Sequence, residues 1–384
     1  MPSPLRGGLR RRILLVVLAA IAFAAVFTTR VSRKMPDFEV YRTAGARAAT
    51  AAPLYRATDG HYQFKYLPAF ALAARPLAAM PLNAAKAVWF AGSAVLVIVL
   101  LWTSLLALPN RRTAAPLLAA LTFLAMAKFY AHELVLGQVN LLFATIVLAA
   151  VLLLRGRAGS QIGAGLLFGA AVIVKPYGLL FAPWLLSRRS VPAIAGMTAG
   201  LAVALLAPSL VYGWSGNVAQ LSAWWQTVSN STAPNLTNQD NISIAAMGVK
   251  WLGTAPPAQI FTVAVSLAVL GATTVAMIAR PAVRAPDYLE ASLLLLLIPL
   301  LSPQGWDYVL LIATPAVMLL IDRVRALPPT WRLVVVAAVA IPALSVYDLM
   351  GREGYARFMA LSAITICALG QLAGLLTLRL RRLA

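Results

Sequence analysis

The feature that most constrains this chain is its succession of apolar runs, most of them closed by a short arginine-bearing turn. A run of ~20 mostly apolar residues is long enough to cross a hydrocarbon core as a helix. Only 11% of residues are charged and 61% are hydrophobic, whereas a soluble domain carries roughly a quarter charged residues. A water-facing fold cannot hide that much apolar surface, so lipid is the expected solvent. The expected fold is all-α and polytopic, a single transmembrane domain over 1–384 with about twelve membrane segments.

The segments fall near 12–29, 85–108, 114–131, 138–154, 160–174, 176–187, 191–212, 258–279, 288–302, 306–321, 332–347 and 356–378. Several are shorter than a full span. Those between 160 and 187 read as a helical hairpin divided at Lys175-Pro176, because proline removes a donor and restricts its predecessor. With the N-terminus in the cytoplasm and every segment crossing, the basic turns collect on one side. They are Arg6 with Arg10–Arg12, Arg111-Arg112, Arg155/Arg157, Arg188-Arg189, Arg280/Arg284, Arg323/Arg325/Arg332 and Arg379/Arg381/Arg382. Positive charge flanks the cytoplasmic ends of spans, and one missed span would reverse every later cluster. The expectation is a multi-pass protein of the cytoplasmic membrane with both termini inside. Arg10-Arg11-Arg12 before Ile13–Phe27 also has the look of a signal peptide; the topology requires it as a retained first span.

The net charge of +21 therefore reads as topology, and nucleic acid is not an expected partner. Cys367, the only cysteine, sits in an apolar run and offers neither an internal disulfide nor a cysteine metal site.

Two long segments, about 30–84 and 213–257, fall on the outer side, with short outer turns at 132–138, 175–177, 302–307 and 347–355. Nearly all unusual polar residues lie there. Polar groups at membrane depth are costly and mark function. Asp37 and Glu39 follow the first span beside aromatics, and Val40–Ala52 reads as an interfacial helix. A carboxylate in a low-dielectric setting has a raised pKa suited to a general base; equally, acids favour a helix start. Arg30, Arg33, Lys34, Arg42, Arg47, Arg56 and Lys65 form either ordinary surface charge or a cationic rim for a lipid phosphate. Lys175 either snorkels or contacts phosphate. Gln138 and Asn140 sit at a helix start, where Asn140 suits a cap. Asp307 lies at the mouth of an apolar helix. His132 and Glu133 are adjacent and lack the helical spacing of a metal pair. Outer aromatics such as Trp224, Trp225 and Trp306 fit an interfacial belt or a sugar groove. The triplets at Asn230, Asn235 and Asn241 match glycosylation acceptors in a loop rich in Asn, Ser and Thr.

Read in order, Asp37-Phe38-x-x-Tyr41, Phe64-x-Tyr66-x-Pro68, Gly137-Gln138-x-Asn140, Lys175-Pro176-Tyr177, Asn238-Gln239-x-Asn241-x-Ser243 and Ser302-Pro303-x-x-Trp306-Asp307-Tyr308 form a pattern. It resembles the GT-C membrane glycosyltransferases, and more narrowly glycosyltransferase family 87, the polyprenyl-phosphate-mannose-dependent mannosyltransferases. The resemblance covers about 12–325. It implies Asp37 as catalytic base. It places Lys175, Gln138 and Asn140 near the donor, where Arg42 and Tyr66 are further candidates; Asp307, Trp306, Asn238 and Gln239 are candidates for substrate contact, as is Glu39, to which the resemblance assigns no role. It implies an inverting transfer, most simply of mannose, from a polyprenyl phosphate to a lipid or glycan acceptor on the outer face, with no obligatory metal or cofactor. Two departures bear on the sugar and acceptor. Tyr308 follows Trp306-Asp307 where the family often has histidine, and Leu67 stands between Tyr66 and Pro68 where it commonly has proline. The sequence alone leaves two other classes open: a transporter or flippase of lipid-linked sugar, and a non-catalytic subunit of an envelope complex.

Overall fold

A computed structural model describes residues 21–278, 283 and 286–382. Half of the expected first span (12–20), its arginine cluster and Arg280/Arg284 fall outside these residues. The described residues are helical throughout, with no β-strand beyond one isolated bridge between Asn241 and Trp306.

Four helices are long and apolar enough to cross a membrane: Leu82–Ala107, Ala115–Leu136, Pro256–Ile278 and Ala363–Leu380. Two bent pairs raise the number to six if each is one span. The other expected segments are shorter. Asn140–Leu153 has 14 residues, or ~21 Å at 1.5 Å each, less than a full hydrocarbon core. Its burial explains how it persists. Asn140–Leu153 and Pro286–Leu301 are apolar nearly all round and buried nearly all round, as central helices must be. Peripheral helices show the reverse. Only 17% of the apolar window of Pro256–Ile278 is buried, and Val95, Ile98 and Trp102 of Leu82–Ala107 are exposed. Lipid is the natural cover for such faces.

The hairpin between 158 and 206 forms by small-residue packing. A Cβ on Gly165 would lie 2.0 Å from the Ala193 carbonyl oxygen, and one on Gly169 2.6 Å from Gly200 Cα. Only glycine permits that approach. The Ala158–Val174 helix stops at Lys175, whose backbone is extended (φ −149°, ψ 130°). The chain returns through a 3₁₀ turn, Pro176–Leu180, and a short helix, Phe181–Ser187. Ser190 then hydrogen-bonds Gln161 at 3.2 Å. The chain thus travels out to Lys175 and comes back, which puts Lys175 at the opposite end from Arg157 and Arg188.

The basic turns meet at one end of the bundle. The backbone N–H groups of Arg112 and Thr113 donate to Asp322 at 2.9 and 2.8 Å. Arg323 donates to the Asn110 carbonyl at 3.0 Å, and Arg188 pairs with Asp287. One turn inside, buried Arg379 pairs with buried Glu290 at 2.8 Å.

Three expectations change. The outer segment 213–257 is largely helix: Ser209–Leu236, broken at Gly213 (φ 68°) and turned 83° from Val191–Leu206. Segment 30–84 is also structured, by Pro36–Ala49, Pro68–Ala73 and Arg75–Ala78. The expected helix over Val40–Ala52 starts earlier because Pro36 suits a first helical position. These two segments pack together: Gln220 accepts from the Leu54 N–H at 3.2 Å, and the Trp224 indole donates to the Lys65 carbonyl at 3.1 Å. Finally, His132 and Glu133 belong to the last turns of Ala115–Leu136, not to a loop.

Candidate active site

The end opposite the basic turns gathers the polar residues. Met35 adopts a left-handed conformation (φ 67°) and its N–H donates to the Val135 carbonyl at 3.0 Å. That pins the start of Pro36–Ala49 against the end of Ala115–Leu136. Gly137 is the other half of the joint. Its φ of 71° suits glycine, and a Cβ there would lie 2.7 Å from Phe38 Cβ. The close approach brings Gln138 beside Asp37.

Gln138 is the hub. Its side-chain oxygen accepts from Tyr41 at 3.0 Å and Tyr66 at 3.2 Å, and those phenols are 2.8 Å apart. Its amide donates to the Tyr308 hydroxyl at 3.3 Å, and Gln138 lies near enough to Asp37 to favour the carboxylate form. Asp37 is half-buried. Burial raises its pKa above the ordinary carboxylate range, while Gln138 and the Lys175 charge pull the other way. Lys65 also faces Asp37, and burial lowers its pKa.

Lys175 is buried in the turn beyond its helix, with Nζ 5.7 Å from the ring centroids of both Tyr66 and Tyr177. Burial pulls its pKa down to about 8, against the raising effect of Glu133 and Asp37. Among the described residues no carboxylate lies within 4 Å of its ammonium. It is a desolvated cation enclosed by aromatic faces and two nearby acids.

Glu133 was not among the candidates read from sequence. It is fully buried and accepts from the Asn140 side chain at 2.7 Å and the Leu141 N–H at 3.1 Å. Asn140 is therefore no cap: it is the first helical residue, and its amide serves Glu133. A carboxylate inside an apolar run was the available signal.

Asp37, Gln138, Tyr66, Lys175 and, through Glu133, Asn140 thus come together. Arg42 does not join them; its guanidinium donates to the carbonyls of Met80 and Ala78 at 3.0 and 3.4 Å. Glu39 turns the other way and pairs with Lys86 at 2.6 Å. It lines a cavity of about 760 Å³ with Arg33, Lys34, Arg47 and Asp59. Arg47 and Asp59 bind each other through two bonds of 2.5 and 2.7 Å, so Arg47 of the expected cationic rim is internally paired.

Asp307 organises a second group. It is 1% exposed, with His132 Nδ1 at 3.2 Å and Lys128 Nζ at 3.5 Å. Tyr308 links the two groups: its hydroxyl meets Gln138, and its ring packs edge-on to His132 at 5.1 Å. Trp306 is partly buried and pairs by backbone with Asn241. Asn238 and Gln239 form an exposed turn. The Asn238 side chain accepts the Asp240 N–H at 2.9 Å, and the Gln239 carbonyl accepts from Lys250 at 2.7 Å. Asn241 is buried and donates to the Pro303 carbonyl at 2.7 Å, which removes it from the accessible glycosylation triplets. Among the described residues no group of three or more His, Cys, Asp or Glu side chains is placed to hold a metal.

The family model for Glycosyltransferase family 87 matches residues 64–303. No curated protein and no solved structure matches the chain.

Proposed function

The chain belongs to glycosyltransferase family 87, a family of membrane glycosyltransferases, and from that premise we propose an inverting transfer from a polyprenyl-phosphate sugar, most simply mannose, to a lipid or glycan hydroxyl. The protein works as one GT-C-like transmembrane domain. The site faces the outer side of the cytoplasmic membrane and the basic turns face the cytoplasm, as the positive-inside rule requires.

One observation carries the reading: the buried Lys175 ammonium lies 5.7 Å from the Tyr66 ring, Tyr66 donates to Gln138, and both Lys175 and Gln138 act on the half-buried Asp37 carboxyl with no direct ion pair between Asp37 and Lys175. That arrangement offers a base and a phosphate-binding cation in one place. Asp37 takes the acceptor proton as the oxygen attacks the anomeric carbon. The bond from that carbon to the phosphate oxygen breaks on the opposite face, which inverts the configuration. The leaving polyprenyl phosphate keeps the electron pair, and Lys175 stabilises its charge. Burial helps both groups. It raises the basicity of Asp37, and it removes the water that weakens a cation's hold on phosphate. The two phenols hold Gln138, which favours the Asp37 carboxylate, and Glu133 supplies a compensating charge near Lys175. No resident metal or cofactor is part of the reading.

The test is purified protein in detergent with a synthetic polyprenyl-phosphate [³H]mannose donor. Label appearing in a lipid or glycan acceptor, with release of polyprenyl phosphate, supports transfer. Donor moved between leaflets of a vesicle but never consumed would replace this reading with transport.

A further inference from the structure

The end of the bundle where the basic turns meet holds a cavity that the transfer chemistry does not use. Its volume is about 600 Å³. Leu270 and Met277 of Pro256–Ile278 form one wall, and Pro183 and Trp184 of Phe181–Ser187 form the other; Leu294 and Leu297 of Pro286–Leu301 are its buried side. Pro256–Ile278 is the least buried of the four candidate spans, so the cavity lies at the lipid-facing edge of the bundle. The wall from Leu270 to Ile278 runs ~12 Å at 1.5 Å per residue. That is close to the hydrocarbon depth of one leaflet, ~15 Å as half of the core.

The polar atoms along its walls are already used. The Thr273 hydroxyl donates to the Val269 carbonyl at 2.9 Å, and the Trp184 indole donates to Glu290 at 2.8 Å. The Ser187 hydroxyl donates to the Trp184 carbonyl at 2.7 Å. An interior of this kind suits hydrocarbon and would leave a polar ligand without partners. The mouth is different in chemistry. Arg188 pairs with Asp287, and its guanidinium stands 5.0 Å from the Trp184 ring centroid. Arg189 follows in a left-handed turn (φ 53°) and is exposed. Asp287 is held by Arg188, and among the described residues no carboxylate pairs with Arg189. Two guanidiniums against one carboxylate leave one positive charge at the mouth of an apolar slot.

We propose that this cavity holds an acyl chain of an anionic diacyl phospholipid whose phosphate lies against Arg188 and Arg189. The guanidinium fork matches phosphate oxygens, and basic pockets between membrane helices on the cytoplasmic side take acidic lipid headgroups. The surplus charge selects an acidic headgroup over a zwitterionic one, whose own cation offsets its phosphate. In the proposed orientation the lipid belongs to the cytoplasmic leaflet. It lies at the opposite end of the bundle from Lys175, so it is neither donor nor acceptor of the transfer. Its chain fills the gap between Pro256–Ile278 and the central helix Pro286–Leu301. Its headgroup reaches that same helix through Arg188 and Asp287, which stands in the first turn.

Binding is read without turnover, so its outcome is separate from that of the transferase reading. Native mass spectra are recorded on the purified full chain in detergent, titrated with dioleoyl phosphatidylglycerol or with dioleoyl phosphatidylcholine. Wild type should retain one phosphatidylglycerol, with a preference of ~5-fold or more over phosphatidylcholine, the scale of one net basic charge at a lipid headgroup. Arg189→Gln should weaken phosphatidylglycerol about 3- to 10-fold and leave phosphatidylcholine unchanged. Thr274 lines the exposed edge of the cavity, and Thr274→Trp should weaken both lipids by filling it. Arg325→Gln removes the same charge from an exposed site at the same end of the bundle and should change neither. Equal retention of the two lipids by wild type overturns the site, as does an equal loss with Arg189→Gln and Arg325→Gln, or unaltered binding by Thr274→Trp. Displacement of phosphatidylglycerol by an equal concentration of polyprenyl monophosphate would assign the cavity to the donor lipid and also overturn the proposal.

Discussion

At the scale of single residues, the account rests on two charges that burial moves toward neutrality. Asp37 must be deprotonated to act and Lys175 must be protonated, so kcat/KM is expected to be bell-shaped in pH. The acidic limb reports Asp37 and lies above the ordinary carboxylate range, because burial raises that group. The alkaline limb of the free enzyme lies near about 8, the value to which burial lowers Lys175. Replacing Lys175 by Met removes a positive charge that favours the Asp37 carboxylate. The acidic limb should therefore move to higher pH, while the alkaline limb near 8 disappears. Gln138→Leu should lower kcat about 10- to 100-fold, since the removal leaves buried hydroxyls unpaired and Asp37 loosely held; steady-state rates with labelled donor check it. The sequence made Asp37, Gln138 and Lys175 legible as polar groups at outer turns. It did not show Glu133 as their neighbour or Arg42 as a capping group, because both depend on which face of a helix meets which carbonyl.

At the scale of elements, the site depends on joints more than on spans. Gly137 couples a left-handed turn to contact with Phe38. Gly137→Ala should cost about 1–3 kcal/mol of backbone strain and contact, and it should depress kcat more than stability because it displaces Gln138 from Asp37. Thermal unfolding and rate measurements on one preparation separate the two. The glycine pairs of the hairpin are a second joint. Gly169→Val should part the two helices and withdraw Lys175, raising the donor KM. The break at Lys175-Pro176 was legible in the sequence because proline acts locally. That the chain then returns to Gln161 was not, because it follows from glycine packing between helices. Within the outer segment 213–257, the stretch 213–236 carries no span signal because it is polar and tryptophan-rich; it is helical and packs on the first outer segment instead.

At the scale of the molecule, charge segregation is the organising fact. Arginine turns clamp one end, and polar and aromatic groups fill the other. The all-helical class followed from composition and the two ends from charge placement. The span count did not carry over from hydropathy: central helices such as Asn140–Leu153 are apolar because protein surrounds them, and hydropathy reads protein and lipid alike. The proposed orientation has a direct check in a Cys367→Ser background. Asn238→Cys should react with a membrane-impermeant maleimide added to intact spheroplasts, and Arg157→Cys should react only after permeabilisation. The reverse pattern would place the site in the cytoplasm.

The central claim is that Asp37 is the base of a sugar transfer. Its most direct test is the rate of label transfer from synthetic polyprenyl-phosphate [³H]mannose by purified Asp37→Asn protein, with Glu39→Gln as the neighbouring control. The account predicts a loss of ~10²–10⁴-fold for Asp37→Asn, the range for removal of a general base, and near wild-type turnover for Glu39→Gln. Wild-type turnover by Asp37→Asn would contradict it.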